Sequence, residues 1–374
     1  MKTYNIGLVG FGLIGRVHAY GYDNLKYYYP DSGFGAKLFG VCGRRRETVE
    51  EAKKSLGFSY GTTDYRELIN HPDVDVIDIC TPNNLHKEQL LEALKAGKPV
   101  YCEKPLVCDM NEAEAISEAL RDFKKTHQVA FHNRFFPASL KAKDLIVSEG
   151  LGEIISYRIA YYHSGSLDAE KPMGWKQEKG AGVLLDLGSH AIDLIYFFLG
   201  EFKEVAGREK TLYPERKDRT GNTVKVDVED YFIINAGMKN GAMGVIEASK
   251  IAAGAEDELK YEIYGTKGAL RYNSMHPNYL EFFNSDEKEA GFKSIPTVSR
   301  YPEGSFPGPK FSVGWTRAHI HSIYSFLKCI DEGKSASPSF YDGLYNMQVI
   351  ESARISSLNN KIQPVNSLPI KQQA

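Results

Sequence analysis

Along roughly the first 150 positions, short apolar runs alternate with stretches whose apolar residues recur every three or four places. Asn5 to Val9, Ala36 to Cys42, Val74 to Cys80, Pro99 to Cys102 and Gln128 to Phe131 are apolar nearly throughout, as strands buried on both faces must be. Helical periodicity fills the intervals at about 13–26, 45–56, 84–96 and 111–125. Strands of this kind joined by helical crossovers predict a doubly wound parallel sheet. After Gly150 the rhythm changes. Glu153 to Tyr162, Val226 to Asn235, Ala242 to Lys250, Glu258 to Tyr264 and Ala269 to Tyr272 form a series of predicted strands joined without helices. Asn240-Gly241 and Gly265-Thr266-Lys267-Gly268 supply the tight turns that set their register. The second half is therefore expected to be a mostly antiparallel, open sheet. One strongly apolar helix at about 183–199 interrupts it, and helices near 316–331 and 342–359 end the pattern, separated by the loop from Gly333 to Pro338. The stretch 284–314, rich in Gly, Pro and Ser, is predicted to be irregular.

Composition narrows the class without changing this outline. The chain has 374 residues with 46 basic and 48 acidic side chains, a net charge of −2, and 42% hydrophobic residues. That balance fits a soluble globular protein and argues against disorder and against an electrostatic nucleic-acid binder. At roughly 150 residues per domain the length suggests two domains. No apolar run approaches the ~20 residues of a membrane helix; the best, Ala191 to Leu199, is short and contains Asp193. The five cysteines, Cys42, Cys80, Cys102, Cys108 and Cys329, make no C-x-x-C pair, and their apolar neighbours suggest buried thiols. The amino terminus has no charged start, apolar stretch and cleavage site of a signal peptide, so a cytoplasmic location is expected.

Gly10-Phe11-Gly12-Leu13-Ile14-Gly15 follows the first predicted strand and opens the first predicted helix. In that context the glycines have separate tasks: a tight turn, close approach of backbone to a pyrophosphate, and packing of helix on strand, with the helix N-terminus as the anion site. An NAD site usually carries an acidic residue at the end of the second strand to hold the ribose hydroxyls. Here that strand ends at Gly43, followed by Arg44, Arg45 and Arg46. Guanidiniums without a carboxylate suit a 2′-phosphate better than a 2′-hydroxyl, so NADP is expected over NAD. Glu47 remains within reach of a ribose.

Further signals stand at the ends of later parallel strands: Thr81-Pro82-Asn83 running on to His86, and Glu103-Lys104-Pro105. Open sheets of this type bind ligands there. In the second half, Asp186 and His190 lie four apart on the apolar helix, on one face. A carboxylate beside an imidazole favours the protonated ring and can orient it for acid–base work. No third residue has the spacing of a zinc site, so no metal is expected. Taken together with His132-Asn133-Arg134 and Tyr264-Gly265-Thr266-Lys267-Gly268, these residues resemble the glucose-fructose oxidoreductase / inositol dehydrogenase / MocA (Gfo/Idh/MocA) family over residues 4 to about 360.

The resemblance implies an NAD(P)-binding Rossmann domain over residues 1–135 and an α+β domain for substrate binding and oligomerisation over 136–374, its terminal helices packing back toward the first. It implies NAD(P)-dependent hydride transfer to or from a hydroxyl-bearing carbon of a sugar, sugar derivative or cyclitol. Lys104 falls on the catalytic lysine, His190 on the acid–base histidine and Asp186 on the pocket aspartate. Thr81, Pro82, Asn83, His86 and Glu103 would lie at the nucleotide, together with the glycine loop, Gly43, Arg44 and Arg45. Arg134, Tyr161, Tyr162, His163, Trp175, Trp315, Arg317 and His319 are the candidates for the aromatic and hydrogen-bonding surface a polyol needs. The alternative is a glycoside hydrolase or lyase that keeps an internally recycled NAD. An uncovered sheet face predicts a homodimer or homotetramer joined through the second domain.

Overall fold

A computed structural model of the chain describes residues 2–174, 177, 180–289, 291–298, 301 and 303–366. They form two compact units, one comprising the chain through Phe135 and the segment ending at Leu344, the other Phe136–Val298 and the segment beginning at Tyr345.

The first unit is built on six parallel strands: β1 (Lys2–Val9), β2 (Phe34–Cys42), β3 (Tyr60–Thr62), β4 (Val76–Ile79), β5 (Val100–Cys102) and β6 (His127–Val129). Their order, β3-β2-β1-β4-β5-β6, reverses between β1 and β4, the switch point at which such sheets bind nucleotides. Ile6, Leu8, Val41, Val76, Ile77 and Ile79 are fully buried, which is why these strands lack a polar face. The connecting helices are α1 (Leu13–Tyr28), α2 (Arg46–Leu56), α3 (Tyr65–Ile69), α4 (His86–Lys95) and α5 (Met110–Leu120). The last is shorter than the expected 111–125.

In the second unit, α6 (Pro137–Val147) leads into β7 (Ile154–Tyr162). A π-helical turn at Leu184–Gly188 then runs into α7 (Ser189–Leu199), so the predicted apolar helix is wider in its first turn. After β8 (Phe202–Lys210) and a small hairpin, β9 (Glu215–Lys217) with β10 (Thr223–Lys225), come β11 (Tyr231–Met238), β12 (Met243–Ser249), β13 (Glu258–Gly265), β14 (Gly268–Asn273), β15 (Tyr279–Asn284) and β16 (Lys293–Pro296). The stretch expected to be irregular therefore contains β16. The expected strand from Val226 begins only at Tyr231, because Val226 pairs back to Pro214 and Glu229 turns away to bind the backbone of Leu184.

The chain then returns to the first unit for α8 (Trp315–Asp331), which packs on α1. Helix α9 (Phe340–Asn359) passes from the first unit to the second at Tyr345, and β17 (Gln363–Pro364) joins the edge of β8. The nine-stranded sheet of the second unit runs β16-β15-β14-β13-β7-β12-β11-β8-β17, antiparallel except for the β7–β12 pair. Its strands alternate: Tyr157, Ile159, Tyr161, Leu259, Tyr261, Ile263, Phe232 and Ile234 are buried, with the Phe198 ring of α7 lying 5.1 Å from Tyr261. Arg158, Tyr162, Glu247, Lys260 and Arg271 point the other way and line an open concavity of about 920 Å³.

Among the described residues no helix is long and apolar enough to cross a membrane. Four of the cysteines are buried and Cys329 is half-buried, all as free thiols.

Candidate active site

The three glycines after β1 are held to glycine for different reasons. Gly10 has φ +97°, and a Cβ there would stand 2.8 Å from the backbone of Cys80, the residue that follows β4. A Cβ on Gly15 would stand 2.2 Å from the Gly10 carbonyl oxygen. At Gly12, by contrast, a Cβ would meet nothing within 4 Å. Gly12 is also the N-cap of α1, with no side-chain hydrogen bond to the helix end and no acidic residue in the first turn. The exposed amides and the partial positive charge of the helix end thus face open space, as a pyrophosphate requires. Phe11 and Ile14 are half-buried beside this loop, and Leu13 is 81% exposed. The residues present fit a dinucleotide.

Gly43 follows β2, its amide donating to Thr62 O at 3.3 Å. Arg44 and Arg45 are exposed between β2 and α2, while Arg46 turns to Glu50 one helical turn on, at 3.8 Å. After β4, Thr81 donates its hydroxyl to Gln89 at 2.6 Å, Pro82 leads into a 3-10 turn at Asn83–Leu85, and Asn83 is buried. His86 is fully buried. Its Nδ1 lies 2.9 Å from Pro105 O and its Nε2 2.9 Å from Thr81 O, so the ring joins the loop after β4 to the loop after β5. Burial lowers its pKa. In the second of those loops Glu103 is buried and Lys104 half-buried.

Three expected substrate contacts belong to the first unit. Arg134 gives Nη1 to Ser337 and Nη2 to Asp342, both at 3.2 Å. Trp315, the first residue of α8, is partly exposed and presents its ring edge to His132 and His319. Arg317 is buried in a tyrosine cage, its guanidinium 4.0, 4.5 and 5.0 Å from the rings of Tyr301, Tyr28 and Tyr29, and donates to Tyr29 Oη at 2.8 Å. Burial pushes the Tyr29 phenol up to about 12 against the pull of that cation. Trp175 lies outside the described residues.

The second unit carries a separate polar cluster. Its helix starts at Gly182, φ +99°, where a Cβ would stand 2.6 Å from Glu229 Oε1; the same oxygen accepts the Leu184 amide at 2.8 Å. From this anchored start the π turn carries Asp186, and α7 carries His190. Turns of this kind recur at functional sites. Asp186 pairs with Lys250 Nζ at 3.2 Å, and both side chains are nearly buried. The ring of His190, 3% exposed, lies 5.7 Å from that of Tyr161. The Tyr161 hydroxyl donates to Asp257 at 2.6 Å, and the same carboxylate meets His163 Nε2 at 2.8 Å. Tyr161 and Tyr162 face opposite sides of the sheet, so Tyr162 turns to Glu247 on the open face. Lys250 and Asp257 escaped sequence reasoning: Lys250 ends a predicted strand and Asp257 precedes another, and only the β12–β7–β13 pairing brings them to the cluster.

Two family profiles divide the chain. One, described as an oxidoreductase family with an NAD-binding Rossmann fold, matches residues 4–131, and the GFO/IDH/MocA C-terminal domain matches residues 139–271. Levoglucosan dehydrogenase of Pseudarthrobacter phenanthrenivorans is 34% identical over 96% of both chains. Myo-inositol 2-dehydrogenase of Thermotoga maritima is 29% identical over 90% of this chain and 91% of its own. The solved structure of levoglucosan dehydrogenase in complex with NADH matches with a TM-score of 0.95 at 32% identity, covering 98% of this chain and 100% of the other. The first profile spans the six-stranded parallel sheet with its glycine loop, the second falls on the unit that holds the mostly antiparallel sheet and the helix bearing Asp186 and His190, and the chain belongs to the Gfo/Idh/MocA family of oxidoreductases.

Proposed function

We propose that this chain is an NAD(P)-dependent dehydrogenase of a cyclic polyol, either a sugar, an anhydro sugar or a cyclitol, oxidising a ring hydroxyl or reducing the corresponding ketone. The observation that carries the proposal is the polar cluster around His190: a buried imidazole against a phenol, four residues along from a charge-paired carboxylate, in a chain that also has an open glycine loop. The two relatives named above act on levoglucosan and myo-inositol, both cyclic and rich in secondary hydroxyls.

The loop Gly10–Gly15 holds the pyrophosphate through its amides, and Gly12 provides the room. When bound, the nicotinamide accepts the hydride in oxidation and returns it in reduction. His190 takes the hydroxyl proton and gives it back in reverse. Lys104 donates a hydrogen bond to the reacting oxygen and stabilises the negative charge that develops there. Asp186, with its charge balanced by Lys250, is free of the repulsion a lone buried carboxylate would impose on an alkoxide, and accepts a hydrogen bond from a neighbouring hydroxyl. Tyr161 and His163, tied to one another through Asp257, extend this surface, with Trp175, Trp315, Arg134 and Arg317 as further contacts in the proposal. Asn83 and Glu103 border the nucleotide.

Arg44 and Arg45 favour the 2′-phosphate of NADP, while the relative solved with NADH speaks for NAD; the chain accepts NAD and gains affinity for NADP through these two side chains. Replacing both by alanine is expected to weaken NADP+ binding about tenfold or more and to leave NAD+ binding within about twofold. Equal losses for both would remove the arginines from the site. The open face of the nine-stranded sheet, lined by charged and aromatic side chains, joins copies of the chain into a homodimer or homotetramer, which light scattering at micromolar concentration tests.

The direct test is a panel of levoglucosan, myo-inositol and scyllo-inositol with NAD+ or NADP+, read by the absorbance of the reduced nicotinamide. Net accumulation with at least one member is the expected result. Binding of nucleotide with no turnover on any cyclic polyol would contradict the proposal.

A further inference from the structure

The loop that carries Lys104 is gripped from both sides by buried histidines to which the mechanism assigns no proton. His86 holds the far side through Pro105 O. On the near side stands His18, on α1 and fully buried. Its Nδ1 lies 3.0 Å from Asp78 Oδ2 on β4 and 3.1 Å from Cys80 Sγ, and its Nε2 lies 3.1 Å from Glu103 Oε1. The other oxygen of Glu103 accepts the backbone amide of Lys104 at 3.1 Å. Hydrogen bonds therefore run unbroken from Asp78, through the ring of His18 and the Glu103 carboxylate, to the amide of the residue proposed to touch substrate.

We propose that His18, backed by Asp78, is a positioning residue for Lys104: it fixes the Glu103 carboxylate, and that carboxylate fixes the backbone from which the Lys104 side chain projects. The inference rests on the role given to Lys104 under the proposed function. A carboxylate with one oxygen on an imidazole and the other on a backbone amide has a single orientation, and withdrawing the imidazole leaves a buried carboxylate without its cationic partner. The ring of His319 stands nearby, 5.8 Å from that of His18, but neither of its nitrogens has a hydrogen-bond partner among the described residues, so it does not take over the Glu103 contact. Packing of α1 against the sheet does not need an ionic group here. Ala19, Tyr22 and Leu25 already bury the face of the helix, and buried ion pairs replaced by apolar groups often cost no stability. What the network supplies is geometry, and a misplacement of about 1 Å at a reacting group costs on the order of 10²-fold in rate.

Two substitutions separate the contacts of the ring. In His18→Asn the side-chain amide stands where Nδ1 was and keeps Asp78 but does not reach Glu103; in His18→Gln the amide stands where Nε2 was and keeps Glu103. His18→Asn is expected to lower kcat by about tenfold or more on the polyol turned over by the wild type, with the nucleotide Kd within about twofold, while His18→Gln recovers most of the loss. Hydrogen exchange of the full-length protein, read on the peptide covering Glu103 to Leu106, is expected to speed up in His18→Asn and to stay near wild type in His18→Gln. Should His18→Asn fail to fold, Asp78→Asn, equal in shape, is expected to shift kcat and exchange in the same direction. Wild-type kcat and exchange in His18→Asn, alongside an inactive Lys104→Ala, would overturn the inference and leave the proposed function standing. Equal losses in both His18 variants without faster exchange at Lys104 would reduce His18 to a structural role. A fully active Lys104→Ala would instead refute the role of Lys104, and the exchange measurement would still decide whether His18 holds the loop.

Discussion

At Gly12 and Gly15 the same missing atom serves opposite ends, and single substitutions separate them. A side chain at Gly12 projects into space that the structure leaves open for a pyrophosphate, so Gly12→Val should fold normally and bind dinucleotide at least tenfold more weakly, measured by titration of the intrinsic fluorescence. A side chain at Gly15 drives into the Gly10 carbonyl, so Gly15→Ala should lower Tm by the equivalent of about 1–3 kcal/mol, the usual cost of overpacking, and loosen nucleotide binding as a consequence. In the second unit, Lys250→Met takes away the cation that lies 3.2 Å from the Asp186 carboxylate, and Asp186→Asn takes away the charge that faces the ammonium. Each should raise KM for the polyol and lower Tm, and the double substitution should cost less than the two singles together, because the ion pair is then removed as a whole. A double-mutant cycle on KM and Tm checks this; strict additivity would mean that the two groups act independently.

The helix that presents His190 depends on a cap that its own sequence does not provide. Gly182 at φ +99° has no side chain to bind the first amides, and Glu229, brought from the segment before β11, does so instead. Glu229→Ala should therefore cost about 0.5–2 kcal/mol in thermal unfolding, as loss of a cap does, and lower kcat by loosening the turn that carries Asp186. The same element shows where sequence is and is not sufficient. The strands of the parallel sheet stood out because a strand buried on both faces is apolar at nearly every position. The glycine loop stood out because its spacing and its place between strand and helix coincide with a mechanism. Strand β8, by contrast, reads Phe202-Lys203-Glu204-Val205-Ala206-Gly207-Arg208-Glu209-Lys210, half of it polar, since only one side of it is covered, and no apolar run marks it in the sequence. The four-residue spacing of Asp186 and His190 was visible and pointed to a carboxylate–imidazole couple. What the spacing did not show is the Lys250 ammonium 3.2 Å from the same carboxylate, remote in sequence and adjacent only once β12 lies against the π turn. The tyrosine cage of Arg317 was equally hidden: its rings come from the end of α1, from Tyr29 just after it and from the segment before α8, while the arginine itself is on α8.

At the scale of the whole chain, buried histidines make stability depend on pH. The Nδ1 of His127 accepts the Phe340 amide at 3.0 Å, and burial lowers its pKa from 6.5 to about 4. Burial also lowers His86, His319 and His321, the last with help from the nearby Arg317 and Lys328 cations. The unfolded chain takes up protons near pH 6.5 while these rings resist them, so their contribution is complete above that pH and drains away as pH falls. For His127 alone the loss approaches roughly 3 kcal/mol by pH 4. His18 has the opposite sign: burial opposes its charge, but Asp78 and Cys80 outweigh it and raise the pKa, so its contribution is complete below pH 6.5 and is lost only as pH rises through the raised value. With four rings against one, Tm should fall steadily from pH 7 to pH 4.5 in scanning calorimetry, and less steeply in His127→Gln; a flat profile would mean that these rings accept protons without unfolding. The central claim, that Lys104 and His190 carry hydride chemistry on a polyol, is tested most directly by single-turnover reduction of bound NAD(P)+ at saturating polyol in wild type, Lys104→Ala and His190→Ala. The account predicts wild-type nucleotide affinity in all three and rates lower by about two to four powers of ten in both variants; near-normal rates in either variant would contradict it.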